Sequence, residues 1–197
     1  WRHERQRHRG VMTIAPVPVD QVIPAAPAAT PAWLTHRRGL AILGVAMALI
    51  LLSNALWLHL DNTPPAWDAA RYLINSLEAF DLVRQPSLAS LQELYFIRNT
   101  VRPSIGLVLP TVPFYLLFGV SEDGAIWWTQ GLYLAVVVFS VYGIGRRLFD
   151  VRVGLLAALL IGLNPEMIRL SRNYWPELAA AAVASLTVYL LIRSEFL

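Results

Sequence analysis

The chain has 197 residues, 56% of them hydrophobic and 15% charged, with a formal net charge of +3. Soluble globular chains carry roughly 45–50% apolar residues, so this composition marks an integral membrane chain, and the absence of Cys excludes a disulfide framework, a thiolate metal site and a thiol nucleophile. A nucleic-acid module is excluded as well, because the one basic cluster, WRHERQRHRG, is a terminal tail with no interleaved aromatic face.

Residues 1–38 read as a disordered basic and Pro/Ala-rich cytoplasmic tail. Met12 is preceded by eleven residues, and IAPVPVDQVIPAAPAATPAW from Ile14 favours extended, unpaired backbone. Gly39 to Leu60 is an uncharged run of about 22 residues, and at about 1.5 Å per residue it spans a bilayer core of about 30 Å. It exceeds the apolar core of a signal peptide, about 7–15 residues, and no small-x-small cleavage pattern follows, so it reads as an uncleaved anchor. His36, Arg37 and Arg38 flank its start, which by the positive-inside rule puts the N-terminus in the cytoplasm and residues 61–123 in an extracytoplasmic loop.

Within that loop the periodicity from Trp67 to Phe80 predicts a helix, capped by Thr63 or beginning near Trp67. One face carries Ala70, Leu73, Ile74, Leu77 and Phe80, and a polar stripe carries Asp68, Arg71, Asn75 and Glu78. Such a helix lies on the membrane surface with Asp68 and Arg71 at the water boundary. Ile105 to Gly119 is short for a span, and Pro110 and Pro113 each remove a backbone donor, so it is expected to be interfacial or re-entrant. Further spans are predicted at about 125–145, 153–170 and 177–192, with Arg146, Arg147 and Arg152 in a cytoplasmic loop. Arg169 and Arg172 stand against this topology, because they fall in a short extracytoplasmic loop.

Each candidate residue has a plain structural reading beside its chemical one. Asp68 and Glu177 stand where first-turn acids complement a helix dipole, Arg71 can pair with Asp68, and Arg102 before Pro103 can snorkel to the interface. His36 and His59 are too isolated for metal ligation, and GIG at residues 143–145 lacks the strand a dinucleotide fingerprint needs.

In their order and spacing, PPAWDAARYL after the first span, RPSIGLVLPTVPFYLLFG before SEDGAIWW, and VYGIGRRLFDVRVGLLAALLIGLNPEMIRLSRNYWPELA resemble the N-terminal portion of membrane glycosyltransferases of the GT-C fold, particularly bacterial enzymes similar to aminoarabinose transferase and protein O-mannosyltransferase. The resemblance covers residues 40–197. It implies an all-α polytopic transmembrane bundle with about four spans in residues 39–197, plus interfacial juxtamembrane helices. It further implies transfer of a sugar from a polyprenyl-phosphate donor to an extracytoplasmic acceptor (protein, lipid or polysaccharide) at the outer face of the bacterial inner membrane. Asp68 takes the place of the catalytic acid of the first extracytoplasmic loop, Arg71 and Arg102 face the donor phosphate, and Glu177 matches a second acidic position. Two departures bear on the chemistry. Many relatives carry a second acid directly after the first, where this chain has Ala69. Those holding a metal often carry an acid before the basic residue and proline, where this chain has Val101, so no metal is assigned. Relatives have more spans, so the chain reads as an N-terminal fragment. With no second nucleophilic carboxylate, inversion at the anomeric carbon is expected. The rival class is a non-enzymatic membrane protein, a transporter part or assembly subunit. It calls for ionisable residues mid-span and related halves, whereas here the charges cluster at span ends.

Overall fold

A computed structural model of the protein describes residues 34–65, 67–90, 92 and 105–194. The described residues form helices and no strands: α1 (His36–Leu60), α2 (Asp68–Arg84), α3 (Ile105–Val108), α4 (Thr111–Phe118), α5 (Glu122–Leu148), α6 (Val151–Gly162), α7 (Pro165–Ser171) and α8 (Pro176–Arg193). Three of them, α1, α5 and α8, are long and apolar enough to cross a membrane, and α6 with α7 makes a fourth span if the bent pair is counted as one. The protein is thus an all-helical integral membrane protein.

The expected tail lies outside the described residues as far as residue 33, and its end is already helical: His36, Arg37 and Arg38 form the first turn of α1, capped by the Thr35 hydroxyl, which accepts from Arg38 N at 3.4 Å. Along α1, Leu43, Met47, Ile50, Asn54 and Leu58 recur at steps of three and four and are buried, while Val45, Leu49, Leu52 and Leu56 are exposed. A helix with apolar side chains on both faces suits protein on one side and lipid on the other.

Lipid tails are as apolar as Leu, so the spans associate through close packing and interhelical hydrogen bonds. Both are visible. α5 and α6 meet at Gly145 and Gly154, where a Cβ on Gly145 would stand 2.7 Å from Gly154 Cα and one on Gly154 would stand 2.6 Å from the Tyr142 carbonyl oxygen. Trp127 Nε1 donates to Leu51 O at 2.9 Å, tying α5 to α1. These pairings make α1 and α5 antiparallel, with His36 beside Tyr142 at one end and the C-terminus of α1 beside the N-terminus of α5 at the other.

The span predicted over residues 153–170 is not one straight helix: α6 and α7 diverge by 59° after Gly162. Pro165 is the cause. It has no N–H to continue the α6 ladder, and it suits the first turn of a new helix, where Asn164 caps α7 by accepting from Glu166 N at 2.9 Å. The segment before α5 is a short apolar helical stretch over Gly106–Phe118, with a turn at Leu109 and Pro110. Gly119 ends α4 at φ 84°, a backbone region that glycine enters without penalty.

Candidate active site

Asp68, Arg71 and Glu177 all stand at the end of the bundle where α1 stops and α5 and α8 start. Asp68 is the first residue of α2 and is exposed, and Arg71, one turn later, is exposed too. Among the described residues neither side chain has a hydrogen-bond or ion-pair partner, so the Asp68–Arg71 pairing that spacing allows is not made. Glu177 is exposed in the first turn of α8, near enough for its charge to act on Arg169. No hydrogen bond or ion pair joins Asp68, Arg71 and Glu177 to one another among the described residues, and Arg102 lies outside those residues.

Of the two predicted helix starts, the structure has the one near Trp67. Thr63 turns back instead, its amide donating to Asp61 Oδ1 at 3.1 Å and its hydroxyl to the same atom at 2.5 Å. Both bonds favour the ionised carboxylate and hold the Asp61 pKa below the usual range. Trp67 enters the helix with φ 53° and ψ −117° and is exposed. A non-glycine residue there carries strain of about 1–3 kcal/mol, directly before Asp68.

The buried face of α2 departs from the periodic reading. Of the apolar face, Leu73 and Phe80 are buried in the protein, Ala69, Ser76 and Ala79 join them, Ile74 is 55% exposed, and Asn75 leaves the polar stripe for the interior. Small residues explain this, since they let α2 approach α4 closely. Ser76 then satisfies its hydroxyl by donating to Leu73 O at 2.6 Å and by meeting Tyr115 Oη at 3.0 Å, with the Phe80 and Tyr115 rings edge to face. Asp68, Arg71 and Glu78 remain on the exposed side.

A second set of bonds, not read from the sequence, fixes the layer carrying the candidate residues. Tyr174, fully buried in the loop before Glu177, donates to Leu107 O at 3.0 Å and meets the Thr111 hydroxyl, which in turn meets Thr129 at 2.7 Å. Four elements, α3, α4, α5 and the α7–α8 loop, are thus joined by one chain of hydroxyls. Burial pushes the Tyr174 pKa well up, so it stays a neutral donor. Gln130 Nε2 adds a bond to Trp175 O at 3.0 Å. The sequence signal was the polar pair Thr129-Gln130 inside an apolar span.

The two cations that stood against the topology are engaged. Arg169 pairs with Glu166 through two contacts, 2.8 and 2.5 Å. Arg172 donates from Nε to Asn54 Oδ1 at 2.9 Å and from a terminal nitrogen to Ser53 Oγ at 3.2 Å, with its guanidinium 4.7 Å from the Trp57 ring centre. Asn54 also donates to Ser171 at 2.8 Å, which holds α7 against α1. Nearby, Asp61, Glu122 and Asp123 line an open cleft of about 410 Å³, and no group of three or more metal-ligating side chains converges among the described residues.

Residues 111–195 match the dolichyl-phosphate-mannose-protein mannosyltransferase family. The match runs from the start of α4 past the end of α8, less than half of the chain. It contains Glu177 and the Tyr174 loop, and it leaves Asp68, Arg71 and Arg102 outside the mannosyltransferase-matched stretch. No curated protein and no solved structure matches the chain.

Proposed function

We propose that the protein is a glycosyltransferase using a lipid-linked sugar, moving the sugar from a polyprenyl-phosphate donor to an extracytoplasmic acceptor. The observation that carries this reading is the mannosyltransferase-family match over residues 111–195. The geometry agrees with it: the exposed acids Asp68 and Glu177 and the exposed Arg71 share one end of the bundle, where lipid-facing helices stop and a lipid phosphate would meet water. The other end carries Arg37, Arg38, Arg146, Arg147 and Arg152, which by the positive-inside rule makes it cytoplasmic and the Asp68 end extracytoplasmic. In a bacterium this is the outer face of the inner membrane.

In the proposed reaction the acceptor hydroxyl attacks the anomeric carbon, its proton passes to the Asp68 carboxylate, and the bond from that carbon to the phosphate oxygen breaks. The departing polyprenyl phosphate is met by Arg71 and Arg102, whose planar guanidinium groups suit bidentate contact with phosphate oxygens. Glu177 orients the acceptor. A single displacement of this kind inverts the anomeric centre.

The test is Asp68→Asn in membrane-embedded protein. An amide keeps size and hydrogen bonding but takes no proton, so transfer from a polyprenyl-phosphate sugar is expected to fall at least about 10²-fold with expression and thermal stability retained. Near-normal turnover would leave Asp68 as a first-turn acid complementing the helix dipole, whereas absence of transfer by the wild type itself would favour the non-enzymatic reading.

A further inference from the structure

At the arginine-rich end, on the opposite side of the membrane from Asp68, a groove of about 460 Å³ runs between α1, α5 and α8. Its walls are apolar: Leu132, Val136 and Phe139 of α5 face Leu186 of α8 and Leu40 of α1. Its closed end is polar, formed by His36, Tyr142 and Arg146. Among the described residues no carboxylate lines it.

We propose that this groove holds one anionic phospholipid of the bilayer, with an acyl chain along α5 and the phosphate at Arg146. Three observations converge. The first is unspent bonding capacity: His36 Nδ1 and Tyr142 Oη satisfy each other at 2.9 Å with their rings stacked, whereas the half-buried Arg146 guanidinium has no hydrogen-bond or ion-pair partner among the described residues. A half-buried guanidinium with nothing to bind is costly, and a phosphate oxygen is the acceptor that the fork of its terminal nitrogens suits. The second is length. Leu132 to Arg146 covers about 21 Å of helix, against about 15 Å for the hydrocarbon of one leaflet, so a chain lying in the groove brings its phosphate to the Arg146 level. The third is the surrounding charge: Arg37 and Arg38 stand exposed at the same end, and basic recesses between spans on the cytoplasmic side attract anionic headgroups.

This inference does not depend on sugar transfer. The experiment is native mass spectrometry of the full chain in detergent, titrated separately with phosphatidylglycerol and phosphatidylcholine. Phosphatidylglycerol retention is expected to exceed phosphatidylcholine retention about tenfold, and Arg146→Gln is expected to abolish that preference. Ala135→Phe, which fills the channel and leaves the arginine in place, should lower retention of both lipids. Arg147→Gln, whose side chain instead reaches the Ile192 and Arg193 carbonyls, should leave the preference intact. Equal retention of the two lipids, or an unchanged preference in Arg146→Gln, overturns the proposal. So does displacement of bound phosphatidylglycerol by inorganic phosphate, which would mean an anion site without a chain. A crosslink from a single cysteine at position 136 to a helix other than α1 and α8 would show that a helix fills the groove instead. If Arg146→Gln fails to insert in the membrane, Ala135→Phe and the comparison of the two lipids still decide.

Discussion

Where α5 meets α6 the closest contact at the glycines is backbone against backbone, Gly145 on Gly154. Where α3 and α4 meet α5 and the α7–α8 loop, the contact is a buried chain of hydroxyls, Tyr174, Thr111 and Thr129, closed on the Leu107 carbonyl. The difference follows from what each region must position. Two regular helices satisfy their own backbone and need only come close, so small residues suffice. The outer layer consists of short helices and turns whose carbonyls have no ladder to join, so side-chain hydroxyls must supply the partners, and they also set the position of Glu177 three residues after Tyr174. One region is held by shape, the other by directional bonds.

The largest effect is expected from spoiling the shape. In Gly154→Val the new Cβ would meet the Tyr142 carbonyl oxygen at 2.6 Å and Arg146 N at 2.8 Å, both backbone atoms that cannot swing aside. Overpacking costs about 1–3 kcal/mol and occasionally more, and an immovable neighbour puts this variant at or above the top of that range. Thermal unfolding in one detergent should show the loss, while Gly44→Ala, with open space at its Cβ, should be neutral or stabilising by up to about 1 kcal/mol. Equal midpoints for Gly154→Val and wild type would mean that α5 and α6 do not meet at this glycine.

The directional bonds should be worth less individually but should be coupled. Tyr174→Phe removes the hydroxyl and leaves Leu107 O and Thr111 short of a buried partner, an expected loss of about 1–3 kcal/mol. Thr111→Val should cost a similar amount, and the double variant should cost clearly less than the sum, because both substitutions break the same chain of bonds. Strict additivity in that cycle would mean the hydroxyls act independently and the convergence on Tyr174 has no energetic content.

These two kinds of contact also explain what could be read from the residues alone. Runs such as Gly39 to Leu60 announce themselves because a bilayer demands about 20 apolar residues in succession, and three long apolar helices stand where such runs occur. The bend at Asn164-Pro165 was legible in principle, as an Asx-Pro pair inside an apolar run, but a hydropathy window averages over it. The inward face of α2 was not legible. Periodicity ranks residues by hydrophobicity, and Ser76 and Asn75 are buried here because of how closely α4 approaches, which is a tertiary fact. Tyr174 was hidden for the same reason: its partners Leu107 and Thr111 lie more than sixty residues away. For Asp68 and Arg71 the structure gives a place alone: both stand exposed at the end of the bundle where α1 stops.

The smallest effect is expected at an exposed directional bond, the Asp61–Thr63 turn between α1 and α2. Asp61 accepts both the amide and the hydroxyl of Thr63, and these bonds hold its folded pKa below the usual aspartate value. For an acid whose pKa is lowered on folding, the stabilisation is fully present above the ordinary pKa of about 3.9 and is lost as pH falls through the lowered folded value. The pH window therefore lies below about 4, and nothing should change between about pH 5 and 8 from this group. Asp61→Asn keeps an acceptor oxygen but not the charge. The midpoint difference between wild type and Asp61→Asn should accordingly be small and constant near neutrality and should vanish on acidification through that window. The check is a series of thermal scans of both proteins from about pH 6 to about pH 2.5. A difference that persists unchanged to the acid end would mean that the two Thr63 bonds do not depend on the carboxylate charge. A fully exposed turn would then contribute through geometry alone, as the glycine contact does deep in the bundle.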